Sequence, residues 1–250
     1  MKYLFTLTFI SLLLTSCQNN NDNLFINGNI KGLKKGKVYL QKIGDSSLVN
    51  IDSVTISGSS EFEFSTYIEE PQIMFIELDR YNGQDYAELI NFFAEPGEVS
   101  LKTSLKNYGI DLQVVTDSKN QKKFEEYNTI IKRFNSKRLE LIQANFEASK
   151  SQNEAKIDSV NDKFNSILKR KYLYTVNFAL NNKDLEVSPY VILSEAYDAN
   201  IKYLDTVYNS LKKPVRKSLY GKQLKDLIEE RRKNDEESIE TEVIDPSVEK

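Results

Sequence analysis

Glycine is spread so unevenly along these 250 residues that it divides the chain in two. Gly28, Gly32, Gly36, Gly44, Gly58, Gly83, Gly97 and Gly109 fall in the first part, and Gly221 alone follows. Turns and hairpins use glycine because it takes positive φ without steric cost, so a stretch from Ile110 to Tyr220 with none is expected to be helical. The first zone alternates as strands do. Phe25 to Ile30, Lys37 to Ile43, Val49 to Ile56, Glu61 to Tyr67, Ile73 to Arg80, Tyr86 to Phe93 and Val99 to Leu105 are β-rich runs separated by Gly, Pro, Asn or Ser clusters. In Glu61-Phe62-Glu63-Phe64-Ser65 the period of two turns both Phe side chains to one face and both Glu to water. Seven or eight such strands predict an antiparallel β-sandwich or partly open barrel over 24–116. With the helical region that follows, the fold class is α+β.

The second zone changes period. Phe124, Tyr127, Ile131, Phe134, Arg138 and Leu141 recur at three or four, as do Ile157, Val160, Phe164, Ile167 and Lys171 with Leu168 and Tyr172 beside them. Ser118-Lys119-Asn120-Gln121 and Ser151-Gln152-Asn153-Glu154 each match a capping box, placing helix starts near 119 and 152. Ser188-Pro189 offers an N-cap with Pro at the first helical position, and Pro214 opens another helix. Three to five helices are expected between 118 and 233. From 234 to 250 the chain is acidic and poor in apolar residues, which reads as a disordered, solvated tail.

The N-terminus carries an address. Met1 and Lys2 precede an apolar run, Tyr3 to Leu14, too short to span a bilayer and suited to an export signal over 1–16. Leu14-Thr15-Ser16-Cys17 resembles a lipobox, in which the Cys thiol is acylated and its amine becomes the mature N-terminus. Cys17 is the expected lipid attachment site, and 17–23, with its QNNNDN run, a polar tether to the bilayer. Gln18 stands where inner-membrane retention signals place Asp, so the expected location is the cell envelope, with the outer membrane favoured and its face open.

Composition removes chemistries. The chain has no His and a single Cys, so Ser-His-Asp and Cys-His catalysis, a His-bearing zinc site and a CxxC redox pair are excluded. Lys plus Arg is 34 against 37 for Asp plus Glu, a net charge of −3, and no nucleic-acid partner is expected. Gly28-Asn29-Ile30-Lys31-Gly32 lacks the spacing that cradles phosphate, and no DxDxDG run offers calcium ligands. No metal and no cofactor is therefore assigned. Asp52-Ser53 reads as a polar strand bend and Glu69-Glu70 before Pro71 as an exposed turn. Tyrosines concentrate in the helical zone, where a ring with a wet hydroxyl suits grooves as well as core edges. Tyr190 and Tyr197 are the candidates for a partner or glycan groove, set against core packing as the alternative.

The order of Phe25-Ile26-Asn27-Gly28-Asn29-Ile30, Gly36-Lys37-Val38-Tyr39-Leu40, Ile51-Asp52-Ser53 and Phe62-Glu63-Phe64 resembles a known family, and the likeness runs on through Glu95-Pro96-Gly97-Glu98. It then reaches Ser188-Pro189-Tyr190-Val191 and Lys213-Pro214 to Tyr220-Gly221. The family is domain of unknown function 4369, which in envelope lipoproteins precedes a thioredoxin-like domain of the thiol-disulfide interchange type. Over about 24–225 the resemblance implies an accessory region. The sequence departs from the pattern where the redox domain would start, since no Cys-x-x-Cys follows Gly221, and no catalytic residue carries over. The expected function is that of a non-enzymatic, membrane-anchored lipoprotein that binds or scaffolds another envelope component, a protein or a glycan. The alternatives are a docking accessory for a separate thioredoxin-like enzyme and, more weakly, a hydrolase working through carboxylates.

Overall fold

Apolar residues at every second position give β-rich segments such as Leu24–Lys31 and Glu61–Thr66 one face to bury, and eight strands assemble together. The computed structural model describes residues 21–45, 47–81 and 88–243, with side chains through 234. Its strands are β1 (Leu24–Lys31), β2 (Lys35–Ile43), β3 (Leu48–Ser57), β4 (Glu61–Thr66), β5 (Gln72–Asp79), β6 (Glu88–Ala94), β7 (Gly97–Ser104) and β8 (Gln113–Thr116). They form two four-stranded sheets, ordered β4-β1-β7-β8 and β3-β2-β5-β6. Among the described residues no strand pair joins the sheets, so the architecture is a sandwich rather than a barrel. Ile26, Leu40, Phe62, Ile76, Phe92 and Leu101 fill the space between them.

One feature departs from the expected antiparallel plan. Strand β1 pairs with β4 antiparallel but with β7 parallel, from Leu24 opposite Gly97 to Lys31 opposite Ser104. Alternation reports which face a residue takes and is silent on strand direction, so the parallel pair left no mark in the sequence. Strand β8, antiparallel to β7, falls at the end of the 24–116 sandwich, in the stretch that has no glycine. Glycine is dispensable there because Gln113–Thr116 is short and its neighbour β7 supplies the ladder. The bend read at Asp52-Ser53 is a β-bulge: Leu40 faces Asp52 and Gln41 faces Asn50, leaving Ile51 extra, and Asp52 Oδ1 accepts from the Ser53 amide at 2.7 Å.

The loop before β8 is pinned by Asp111. Its carboxylate accepts from Thr103 Oγ1 at 2.6 Å, from the Ser104 amide at 3.0 Å and from Ser104 Oγ at 2.6 Å. These hydrogen bonds, led by the Ser104 hydroxyl, hold the Asp111 carboxyl down at about 2. A folded-state pKa below the unfolded one stabilises above the ordinary carboxylate value, and that contribution fades as pH falls through about 2. A carboxyl-carbon NMR titration of Asp111 is expected to find this depressed midpoint and to lose it in Ser104→Ala; an ordinary midpoint near 4 in the parent would refute the network.

The helices are α1 (Lys119–Lys150), α2 (Glu154–Asn181), α3 (Val187–Glu195), α4 (Ile201–Ser210), α5 (Lys213–Lys217) and α6 (Leu219–Val243), more than the three to five expected. The five-residue α5, opened by Pro214, is too short to carry a period. Ser118 caps α1 as expected, its Oγ accepting from the Gln121 amide at 2.9 Å, but the box is not closed by Gln121. At 151 the reading fails: Ser151 ends α1, Gln152 turns the chain at φ 51°, and Asn153 caps α2 by accepting from the Lys156 amide at 3.0 Å. Ser188 is not an N-cap either. Helix α3 already includes it, and its Oγ donates to the Ala179 carbonyl at 2.8 Å.

The expected tail boundary at 233 is also moved. Helix α6 runs on to Val243 because no Gly or Pro interrupts the sequence between Gly221 and Pro246. Residues 244–250 lie outside the described part, as do the expected signal sequence over 1–16, Cys17 and most of the expected tether.

The helices form a third layer on the outer face of β5 and β6. Met74 and Phe92 point into the sandwich, whereas Ile73 and Phe93 point out into a second core with Phe124, Tyr127, Val191 and Leu204. These two strands are therefore apolar on both faces, like strands covered on both sides. Rings of Phe124, Tyr190 and Tyr220 meet Phe93 edge-on at 6.2, 5.8 and 6.0 Å between centroids.

Polar groups close the same junction. Ile73 and Phe93 face each other across β5 and β6, and both amides point away from the pair. Tyr220 hydroxyl accepts from the Ile73 amide at 2.7 Å, and Gln121 Oε1 accepts from the Phe93 amide at 2.7 Å. Buried amides are thus satisfied by helix side chains where no neighbouring strand reaches. Asn120, fully buried, ties three elements: its Nδ2 donates to Glu95 and, at 2.8 Å, to Glu186, while its Oδ1 accepts from the Val187 amide at 2.8 Å. Glu70, read as part of an exposed turn, is half-buried and accepts from the Leu219 amide at 2.7 Å, capping α6.

Candidate functional site

Helix α1 starts beside Phe93 and Glu95 and then flanks the β6 edge through Lys132. Between that stretch and the sandwich lies a groove of about 440 Å3, bounded by Leu89, Asn91, Ile110 and Val114 on one side and Asn128 and Thr129 on the other. Its charged groups are Glu125, which accepts from Gln121 Nε2 at 2.8 Å, and Lys132. At 1.5 Å per residue the stretch from 133 to Lys150 carries α1 about 27 Å further, paired with α2 as a hairpin.

A second cleft, of about 280 Å3, opens beyond that groove, where the hairpin meets the end of α3. Its residues follow from the helical period. Phe134 and Arg138 of α1 sit one turn apart, as do Phe164, Leu168 and Tyr172 of α2, while Glu195 closes α3 and Tyr197 and Asp198 follow it. Lys171 Nζ pairs with Glu195 Oε2 at 2.6 Å, with both side chains largely shielded. Tyr172 hydroxyl donates to Asp198 Oδ1 at 2.7 Å. Burial, then that hydrogen bond to a carboxylate, pushes the Tyr172 hydroxyl well above the usual phenol range, so it remains a donor across neutral pH. The Arg138 guanidinium lies 5.9 Å over the Phe164 ring, a cation–π contact that holds its planar fork at the cleft.

The loop bearing Tyr197 and Asp198 is held from behind by α6. Arg231 Nη1 donates to the Tyr197 carbonyl at 3.0 Å and the Ala199 carbonyl at 2.6 Å. The Tyr197 ring is 56% exposed at the rim.

The two expected groove tyrosines part company. Tyr197 lines the cleft, whereas Tyr190 packs against Phe93, Phe124 and Tyr220 in the junction between sheet and helices, with centroids 5.8, 5.7 and 5.0 Å away. Burial, seconded by Glu195, pushes the Tyr190 hydroxyl up to about 12. For Tyr190 the core-packing alternative describes where the ring lies, half-buried on α3 against these three rings. Sequence reasoning placed Arg138 and Lys171 in the helical period without giving them a role, and it missed Glu195, Asp198 and Arg231. Their pairing spans three helices and leaves no signal along any one of them.

Residues 24–124 match the model of a family described as a domain of unknown function (DUF4369). The matched part covers the sandwich and ends at Phe124 in α1, so the motifs at 188–191 and 213–221 lie outside it. No match to the chain was found among curated proteins or among solved structures.

Proposed function

Starting from a chain whose residues 24–124 match the DUF4369 model, we propose a lipid-anchored envelope protein that binds its ligand without transforming it, with the hairpin cleft as the binding site. The observation that carries this reading is how the cleft's charges are committed. Glu195 is paired with Lys171 and Asp198 accepts from Tyr172, which holds both carboxylates in place. Such groups recognise a ligand by hydrogen bonding.

Anchoring rests on the lipobox-like Leu14-Thr15-Ser16-Cys17. Strand β1 begins one residue after Asn23, whose carbonyl accepts from the Gly97 amide at 2.7 Å at the sandwich end where α1 also starts. The cleft, several turns along α1, lies away from that end. Two readouts in cells test the proposal. Cys17→Ala is expected to abolish labelling by a palmitate analogue and release the protein from the membrane fraction. A photo-crosslinking residue at position 197 is expected to capture a ligand that the same residue at position 69 does not. Unchanged labelling would remove the anchor, and equal capture at both positions would remove the site.

A further inference from the structure

We propose that the hairpin cleft takes an uncharged saccharide ring, which names the ligand class for the binding reading above and rests on it. Charge comes first. Arg138 and Lys171 balance Glu195 and Asp198 around one small space, so an ionic ligand of either sign meets repulsion about as strong as the attraction it gains.

Hydrogen bonding comes next. Glu195 pairs through Oε2 and Asp198 accepts through Oδ1, leaving Glu195 Oε1 and Asp198 Oδ2 without a partner among the described residues. Arg138 has no carboxylate within salt-bridge distance among the described residues, and its five donors face acceptors of any kind. Donors and acceptors side by side match hydroxyl groups, each of which both donates and accepts.

Shape completes the match. Tyr197 presents an exposed ring on a loop that Arg231 fixes, a preset platform for the apolar C–H face of a sugar, and Phe164 and Leu168 continue that apolar surface inside. At about 280 Å3 the cleft falls just below the range typical of drug-sized ligands, which limits it to one ring or two.

The test is ligand-observed NMR on the mature chain with glucose, galactose, N-acetylglucosamine and cellobiose as probes, and benzoate and phenethylamine as charged counterparts. At least one sugar is expected to saturate in the millimolar range, ahead of both ions. Tyr197→Ala, at an exposed position that folding does not depend on, is expected to weaken that sugar about tenfold. Leu168→Trp, which fills the cleft, is expected to abolish binding while the far-ultraviolet spectrum stays that of the parent. Saturation by none of the four sugars, tighter binding of either ion, or a sugar affinity unmoved by both variants would overturn the proposal. Its failure is separable from failure of the binding reading. Crosslinking at position 197 in cells with no sugar binding removes the saccharide alone, whereas sugar binding without capture leaves the saccharide and removes the envelope partner.

Discussion

Gly221→Ala is expected to destabilise the protein by at least about 3 kcal/mol, the reverse of what the substitution does in an ordinary helix, where replacing glycine gains about 1 kcal/mol. Gly221 is in the first turn of α6, and the backbone of α5 passes directly over it. A methyl group there would come 2.1 Å from the Val215 carbonyl oxygen and 2.6 Å from that of Arg216. Both obstacles are main chain, so no side chain can swing away to relieve them. The helices must separate, and Tyr220 beside Gly221 would be drawn off the Ile73 amide. Urea denaturation of parent and variant measures the effect; a loss below about 1 kcal/mol would mean that α5 yields without disturbing the junction.

Asn120→Asp is expected to be nearly as damaging at neutral pH and to improve on acidification. The amide donates to Glu95 and Glu186 at once, and it is 1% exposed. An Asp keeps the acceptor for the Val187 amide but replaces two donated protons with a third carboxylate. Burial and two like charges raise the pKa of the new group above its unfolded value near 4. A raised carboxyl pKa costs stability above the unfolded pKa and costs less as protonation is completed below it, so the deficit should narrow from pH 7 toward pH 4. We expect a loss of about 3 kcal/mol at pH 7, the scale of an uncompensated buried charge. Thermal melts at both pH values check it. A deficit independent of pH would show that the lost hydrogen bonds, and not the added charge, set the cost.

Much of the fold was legible because periodicity reports burial directly. Phe62 and Phe64 alternate into the sandwich as their spacing requires, and Phe124, Tyr127 and Ile131 face the second core as theirs does. What was hidden depends on partners far away in the chain. Gln121 reads as the second half of a capping box, yet its carbonyl oxygen serves Phe93 on an edge strand, an acceptor role that a local motif cannot specify. Gly221 stood out in the sequence only as the one glycine of the second part, and it is the point where two helices touch backbone to backbone. Of the cleft, Tyr197 alone was given a role from the sequence, and the others appeared at most as members of a helical period, because an ion pair between α2 and α3 requires knowing how they pack.

The bond between the Ile73 amide and the Tyr220 hydroxyl spans 147 residues. A chain synthesised from its N-terminus offers Ile73 and Phe93 long before α6 exists to cover them. Contacts of such separation close late, because the loop entropy must be met before they contribute. Until α6 is made, the sheet face that carries Ile73 and Phe93 lacks its last cover. In that interval the face can meet a neighbour's helices as well as its own, so the third layer is the part of this fold most open to misassembly.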